Sequence, residues 1–233
     1  MQTCPDIRTQ PWLEERRLLD KGFVRLLDCL ASDQNVIDAA RVSTGSQSDP
    51  ERDRKLIHFL MKHHHETPFE HLVFRFHVRC PLFVARQWMR HRIASYNEAS
   101  GRYRVFADEY YVPDLDDLPP GFFDDADIQK YCDAMEHTYA VYRELLDKVK
   151  DHKQHRSRAR EVFRGLLGTA YYTEFYFTVN FRSLMNFINL RSSPEAQYEI
   201  RVYAEAIRDM VRPRIPLCFE AYELFILDNG KRQ

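Results

Sequence analysis

Glycine is scarce, with 7 residues in a chain of 233. Neither GxGxxG nor a GxxxxGK phosphate loop occurs, so any nucleotide must be held by side chains and not by a glycine-rich backbone cradle. Cysteine offers no scaffold either. Cys4, Cys29, Cys80, Cys132 and Cys218 are odd in number and far apart, which argues against a disulfide framework and a CxxC metal knuckle. HExxH is missing too, because Phe69 stands where the second histidine after His65-Glu66 would have to be, and no metal is expected. There is no excess of positive charge: Lys+Arg 34 meets Asp+Glu 35, a formal net charge of -1. A broad nucleic-acid binder needs a basic surplus, so no nucleic-acid partner is expected. No apolar run is long enough to span a bilayer, and the opening MQTCPDIRTQPWLEERR has no apolar signal core. The expectation is a reduced, soluble, cytoplasmic protein with no membrane partner.

What the chain does contain is 44% hydrophobic and 30% charged residues, the composition of a globular domain. Residues 1–19 read as a loose N-terminal arm and 20–233 as one domain. Gly22 to Leu30 is an apolar run, strand or helix. Ser32 or Asp33 caps a helix through Ala40, and Ser48-Asp49-Pro50 starts another that ends near His63-His64-His65. His71 to Arg79 alternates, with Leu72, Phe74, Phe76 and Val78 on one face, which predicts a strand. Pro81 opens a helix, and a loop from Ser95 to Arg102 follows. An acidic connection over residues 114–127 leads to a helix marked by Ile128, Tyr131, Cys132, Met135, Tyr139, Tyr142, Leu146 and Val149. Further expectations are a helix near Ser157–Leu167, an aromatic strand from Tyr171 to Val179, and a helix from Phe181 to Leu190. A long helix capped by Ser193-Pro194 and a last one over Phe219–Ile226 complete the list. The mixture predicts a single α+β domain, mainly antiparallel sheet flanked by helices.

Three constellations carry chemistry. Between His71 and Val105 there are seven arginines, no lysine and one carboxylate, Glu98. Arginine without lysine fits planar recognition of phosphate or carboxylate. Arg86 and Arg90, and Gln87 and Arg90, share helical faces, and Ser95, Asn97, Glu98, Ser100, Gly101 and Arg102 follow at once. The alternative is a solvated basic face. The second constellation is Asn180, Arg182, Asn186, Asn189 and Arg191, which in isolation reads as a polar outer face. The third is His63 to His71, where one histidine and Glu70 fit a polar ligand.

Arg90 to Tyr103 fits RHRxxSxNExSxRY at all nine specified positions in fourteen. In this the chain resembles the flavin-dependent thymidylate synthases, the ThyX family. His65-Glu66-Thr67-Pro68-Phe69-Glu70-His71, Asn180 to Arg191, and the segment ending at Ser43 are similar to that family as well, so the resemblance covers roughly residues 20–226. It implies an FAD enzyme that methylates dUMP to dTMP, taking the carbon from 5,10-methylenetetrahydrofolate and using NADPH to reduce the flavin. Tetrahydrofolate would be the second product. It also implies a homotetramer whose active sites are shared between subunits.

By residue, the resemblance assigns Gln87, Arg90, Glu98, Ser100, Gly101, Arg102, Arg164 and Arg191 to dUMP, with Arg191 and Ser100 as the catalytic pair. Arg90, Arg102 and Arg164 suit the phosphate. Arg191 suits the uracil carbonyl edge, where a fixed cation stabilises developing negative charge. Ser43, Thr67, Glu70, Arg90, His91, Arg92, Asn180, Arg182 and Asn186 would hold FAD, with His65 and Tyr103 near the flavin or folate. One departure stands out: the family commonly reads HAQ after this arginine, and here Glu195-Ala196-Gln197 puts Glu195 in the histidine's place.

Two other readings compete. A non-catalytic, arginine-rich RNA-binding module would use the same loop, but it gives no reason for the Asn180–Arg191 pattern. A cysteine-dependent thymidylate synthase would need a nucleophile, for which Cys80 before Pro81 is the candidate. Cys80 follows the parity of the apolar face, so a buried thiol is expected there.

Overall fold

Residues 13–42 and 49–227 are described by the computed structural model. An edge strand, β1 (Glu14–Leu18), pairs antiparallel with β2 (Gly22–Leu30). Residues 14–18 are therefore not a loose arm. Their run of charges, Glu14-Glu15-Arg16-Arg17, hides the strand period and suits an edge that must not pair further. The run from Gly22 is strand, with Phe23, Val24 and Leu26 buried. Gly22 is required where it stands, since a Cβ there would lie 2.0 Å from the Tyr203 hydroxyl.

Helix α1 (Asp33–Arg41) is capped by Ser32, and α2 (Pro50–Lys62) by Asp49 with proline in its first turn. A 3-10 turn over Thr67–His71 then leads into β3 (Val73–Pro81). The predicted alternation holds: Phe74, Phe76, Val78 and Cys80 are fully buried, while Arg75, His77 and Arg79 lie on the other face. Helix α3 (Leu82–Trp88) follows Pro81 as expected.

The expected loop at Ser95 is instead a short strand, β4 (Ser95–Glu98), paired with a later strand. Its polar Ser95, Asn97 and Glu98 disguise it, and Tyr96 alone points inward to stack on Phe177 at 5.3 Å. In the acidic connection, Asp124 caps α4 (Asp125–Asp147) by accepting from the Asp127 N–H. The apolar stripe of α4 is only half-buried apart from Tyr142. Helix α5 (Lys153–Phe163) runs into a 3-10 turn, Arg164–Leu166. The aromatic strand forms as β5 (Tyr172–Asn180), followed directly by α6 (Phe181–Arg191).

Helix α7 (Tyr198–Val211) begins later than Ser193-Pro194. The Ser193 hydroxyl accepts from the Glu195 N–H at 3.3 Å and the Ser193 carbonyl from Ala196 at 2.9 Å. Those bonds close a turn over 193–196 and leave Glu195 exposed. The last helix, α8 (Pro216–Tyr222), starts earlier than expected and ends in a π turn over Glu223–Leu227.

Among the described residues five strands order as β1-β2-β3-β5-β4, every pair antiparallel. Helices α3, α6 and α7 cover one face. Trp88 of α3 is buried there against Phe175 and Phe177 of β5, Phe187 of α6 and Tyr203 of α7. Burying aromatics of this size supplies much of the hydrophobic drive. It also fixes the ends of α3 and α6 beside each other.

Candidate active site

Where α3 ends and α6 ends, three predicted residues meet. The Arg191 Nε–H donates to His91 Nε2 at 3.0 Å. Its two terminal nitrogens reach the Gln87 carbonyl at 3.2 Å and Gln87 Oε1 at 3.5 Å. The Gln87 amide is itself held, donating to Gln197 Oε1 at 2.6 Å. His91 packs edge-on against Phe187 at 5.0 Å.

The electrostatics agree with this geometry. Burial, and then the Arg191 guanidinium, hold His91 down at about 4. The imidazole is therefore neutral near pH 7, and its Nε2 lone pair accepts from Arg191. Burial and neighbouring Arg90 lower Arg191 in turn. A guanidinium still stays charged at any working pH. The result is a fixed cation clamped by neutral acceptors, with no carboxylate among the described residues paired to it.

This clamp borders a cleft of about 650 Å³ between α6, the 90–94 turn and the segment before β3. Its walls are apolar at Phe177, Val179, Met185, Phe187 and Ile226, and polar at Arg90, His91, Arg92, Arg182, Asn186 and Arg191. An apolar slot with a few convergent polar groups is the usual form of a cofactor site. Its volume and donor set fit part of a flavin nucleotide.

The other predicted flavin residues are distributed around it. Arg182 pairs with Glu66 at 2.7 Å and also with Glu70, and these two carboxylates raise its affinity for its proton. Asn180 spends its side chain on capping α6, accepting from the Ser183 N–H at 2.9 Å. Thr67 lies in the 3-10 turn beside Glu66. Ser43 falls outside the described residues. His65 is exposed and packs against Phe59 without lining the cleft, whereas His64 and Glu66 do line it. Tyr103 is exposed. Asn189 accepts from the Tyr222 hydroxyl at 3.2 Å.

The residues expected on dUMP split into two groups. Arg90 and Arg191 line the large cleft, with Gln87 bonded to Arg191. Glu98, Gly101 and Arg164 line a different cavity of about 280 Å³, with Phe106, Leu167 and Tyr171. Here Gly101 has a reason to be glycine, since a Cβ would meet the Phe106 ring at 2.2 Å. Glu98 accepts from the Thr173 hydroxyl at 2.8 Å, Arg102 pairs with Glu161 at 3.0 Å, and Ser100 Oγ accepts from the Arg102 N–H.

Sequence reasoning missed Glu66 and Gln197. Glu66 carried a signal, its place in the His65–His71 segment. Gln197 carried only its place in Glu195-Ala196-Gln197, which does not reveal its partner Gln87, 110 positions away. Cys80 is buried, and burial, followed by the charge of Glu98, raises its thiol well above the ordinary range. A thiolate nucleophile is not available there. Among the described residues no cluster of three or more His, Cys, Asp or Glu side chains is placed to hold a metal, and no helix is long and apolar enough to cross a membrane.

Comparison with known proteins gives the same direction. The family model described as "Thymidylate synthase complementing protein" matches residues 25–217. A flavin-dependent thymidylate synthase of Thermosipho africanus is 47% identical over 224 residues, covering 91% of this chain and 95% of that protein. One from Thermus thermophilus is 42% identical over 223 residues, covering 91% and 80%. Among solved structures, the UMP/dUMP methylase PolB of Streptomyces cacaoi bound with 5-Br dUMP superposes with a TM-score of 0.75 at 34% identity. That match covers 90% of this chain and 98% of PolB. With the Arg90–Tyr103 pattern and the Arg191 clamp, these matches establish that the chain belongs to the flavin-dependent thymidylate synthase family.

Proposed function

We propose that the chain converts dUMP to dTMP, taking the carbon from 5,10-methylenetetrahydrofolate and using NADPH to reduce bound FAD. The observation that carries this reading is the Arg191 clamp: a guanidinium fixed by neutral His91 and Gln87 at the edge of an apolar cleft. Methylating a pyrimidine carbon builds negative charge on the ring, and a preorganised cation answers that charge without reorganising. Arg191 is the residue to do so, at the uracil carbonyl edge. Ser100, Gly101, Arg90, Arg102 and Arg164 hold the phosphate and sugar end. Arg102 exchanges its Glu161 partner for phosphate as it does so.

FAD, when bound, supplies the hydride that turns a methylene into a methyl group. Arg182, Asn186, Arg92 and His91 are the side chains to hold it, with Thr67, Glu70, Asn180 and Ser43 at its margins. Glu66 and Glu70 anchor Arg182 at the cleft wall. The residues orient two anionic ligands face to face, which is an entropic contribution to rate as well as an electrostatic one. The RNA-binding alternative finds no support in the family or in the charge balance.

The two groups of dUMP residues favour a shared site. Arg90 and Arg191 of one subunit would face Glu98, Ser100, Gly101 and Arg164 of others in a homotetramer. Subunit mixing tests this. Arg164→Ala and Arg191→Ala proteins should each be nearly inactive, and hybrids unfolded and reassembled together should regain part of the wild-type rate. No regain in verified hybrid tetramers would overturn the shared site.

A further inference from the structure

Between the C-terminal end of α4 and α5 lies a cavity of about 290 Å³ that the proposed chemistry does not use. Arg143, Lys150, Arg156 and Arg160 line it, over an apolar floor of Leu146 and Val149. Residues 143–160 hold seven Lys or Arg against three Asp or Glu, in a chain whose net charge is -1.

The cations here, like Arg191 at the candidate active site, have no carboxylate partner among the described residues, whereas many other arginines do. Arg54, Arg75, Arg102, Arg182 and Arg212 each have a carboxylate partner. Among the described residues, none of Arg143, Lys150, Arg156 and Arg160 forms an ion pair or a side-chain hydrogen bond, although Asp147 lines the same cavity. Arg160 Nε is buried with no acceptor. Glu161, the one acid on α5, is turned to Arg102 and Arg158.

The helix itself disfavours this arrangement. The first turn of α5 has no acid and no side-chain cap, and it carries Lys153. Cations at a helix N-terminus oppose the macrodipole. Arg156 and Arg160 stand four apart on one face, where like charges repel. At the end of α4, by contrast, Lys148 and Lys150 suit the dipole and need no ligand. A bound anion would relieve the repulsion between Arg156 and Arg160, the two residues of α5 that line the cavity.

We propose that this cavity is an anion site for a phosphate monoester with a compact apolar body. Guanidinium groups match the phosphate, and the Leu146–Val149 floor takes the body. The volume sits at the small end of ligand pockets. The site is independent of the dUMP and flavin assignments.

The test is calorimetric titration of the full FAD-loaded protein, saturated with dUMP, using phenyl phosphate and inorganic phosphate as probes. Saturable binding of phenyl phosphate is expected, tighter than that of inorganic phosphate because of the floor. Arg143→Gln/Arg156→Gln should weaken it by about tenfold or more, with melting temperature and dUMP affinity unchanged. Both residues are exposed, so the variant should fold. No saturable binding in the wild type, or equal affinity in the double variant, would overturn the proposal. Failure of dUMP to bind would count against the proposed function and leave this comparison readable.

Discussion

Replacing Arg191 by alanine isolates the cation on which the chemistry is argued to depend. The side chain makes three contacts, to His91 Nε2 at 3.0 Å, the Gln87 carbonyl at 3.2 Å and Gln87 Oε1 at 3.5 Å. None is a salt bridge, and the residue is partly exposed, so water can replace the lost donors. The stability cost should stay near 1 kcal/mol, the net worth of an ordinary hydrogen bond. The catalytic cost should be larger, because a preorganised charge opposite a developing anion contributes about 3 kcal/mol. At about 1.4 kcal/mol per decade, that is a fall in kcat on the order of a hundredfold. Arg191→Lys keeps a charge but cannot span His91 and Gln87 together, so it should fall between the two. The assay is steady-state dTMP formation, with melting temperature and flavin absorbance as controls for fold and FAD content. Arg191→Ala protein turning over within about threefold of wild type would refute the reasoning, because the magnitude rests on a transition-state interaction.

Other consequences follow from the same geometry. His91 should titrate near 4 by NMR, and in Arg191→Ala it should move only part of the way to 6.5, since burial is the larger cause. Between pH 6.5 and 4 the unfolded chain takes up a proton that native His91 refuses, so stability should fall as pH drops through that window and level off below it. A wild-type imidazole titrating at 6.5 would show that it is not the buried acceptor described. Arg182→Ala and Asn186→Ala should lose FAD on gel filtration before dUMP affinity changes; full FAD retention with weak dUMP binding would reverse the two assignments. Cys80→Ser should cost about 1–2 kcal/mol of stability by burying a hydroxyl and leave turnover per folded molecule unchanged. A folded, FAD-loaded, dUMP-binding Cys80→Ser protein that makes no dTMP would point to a cysteine nucleophile.

The parts of the fold that were legible in sequence are those where one face is buried along a whole element. Phe74, Phe76, Val78 and Cys80 announce β3 because every second side chain must leave water, and Phe175, Phe177 and Val179 do the same for β5. Edge strands give no such signal. β1 and β4 are short and polar, and only their hydrogen bonds to β2 and β5 make them strands. The start of α7 was misplaced because Ser193 closes a turn on Glu195 and Ala196 instead of capping a helix. The candidate site divides along the same line. The Arg90–Tyr103 pattern is local and visible. The meeting of Gln87, His91, Arg191 and Gln197 depends on how α3, α6 and α7 pack around Trp88, which no local pattern encodes.

By the reading proposed above, this chain makes dTMP from dUMP by flavin chemistry. Release of tritium from dUMP labelled at C5 tests it most directly, because replacing that hydrogen by a methyl group must free it. Release should require FAD, 5,10-methylenetetrahydrofolate and NADPH together, persist in Cys80→Ser and collapse in Arg191→Ala. Release that proceeds without flavin, or none from FAD-loaded protein given both substrates and NADPH, would contradict it.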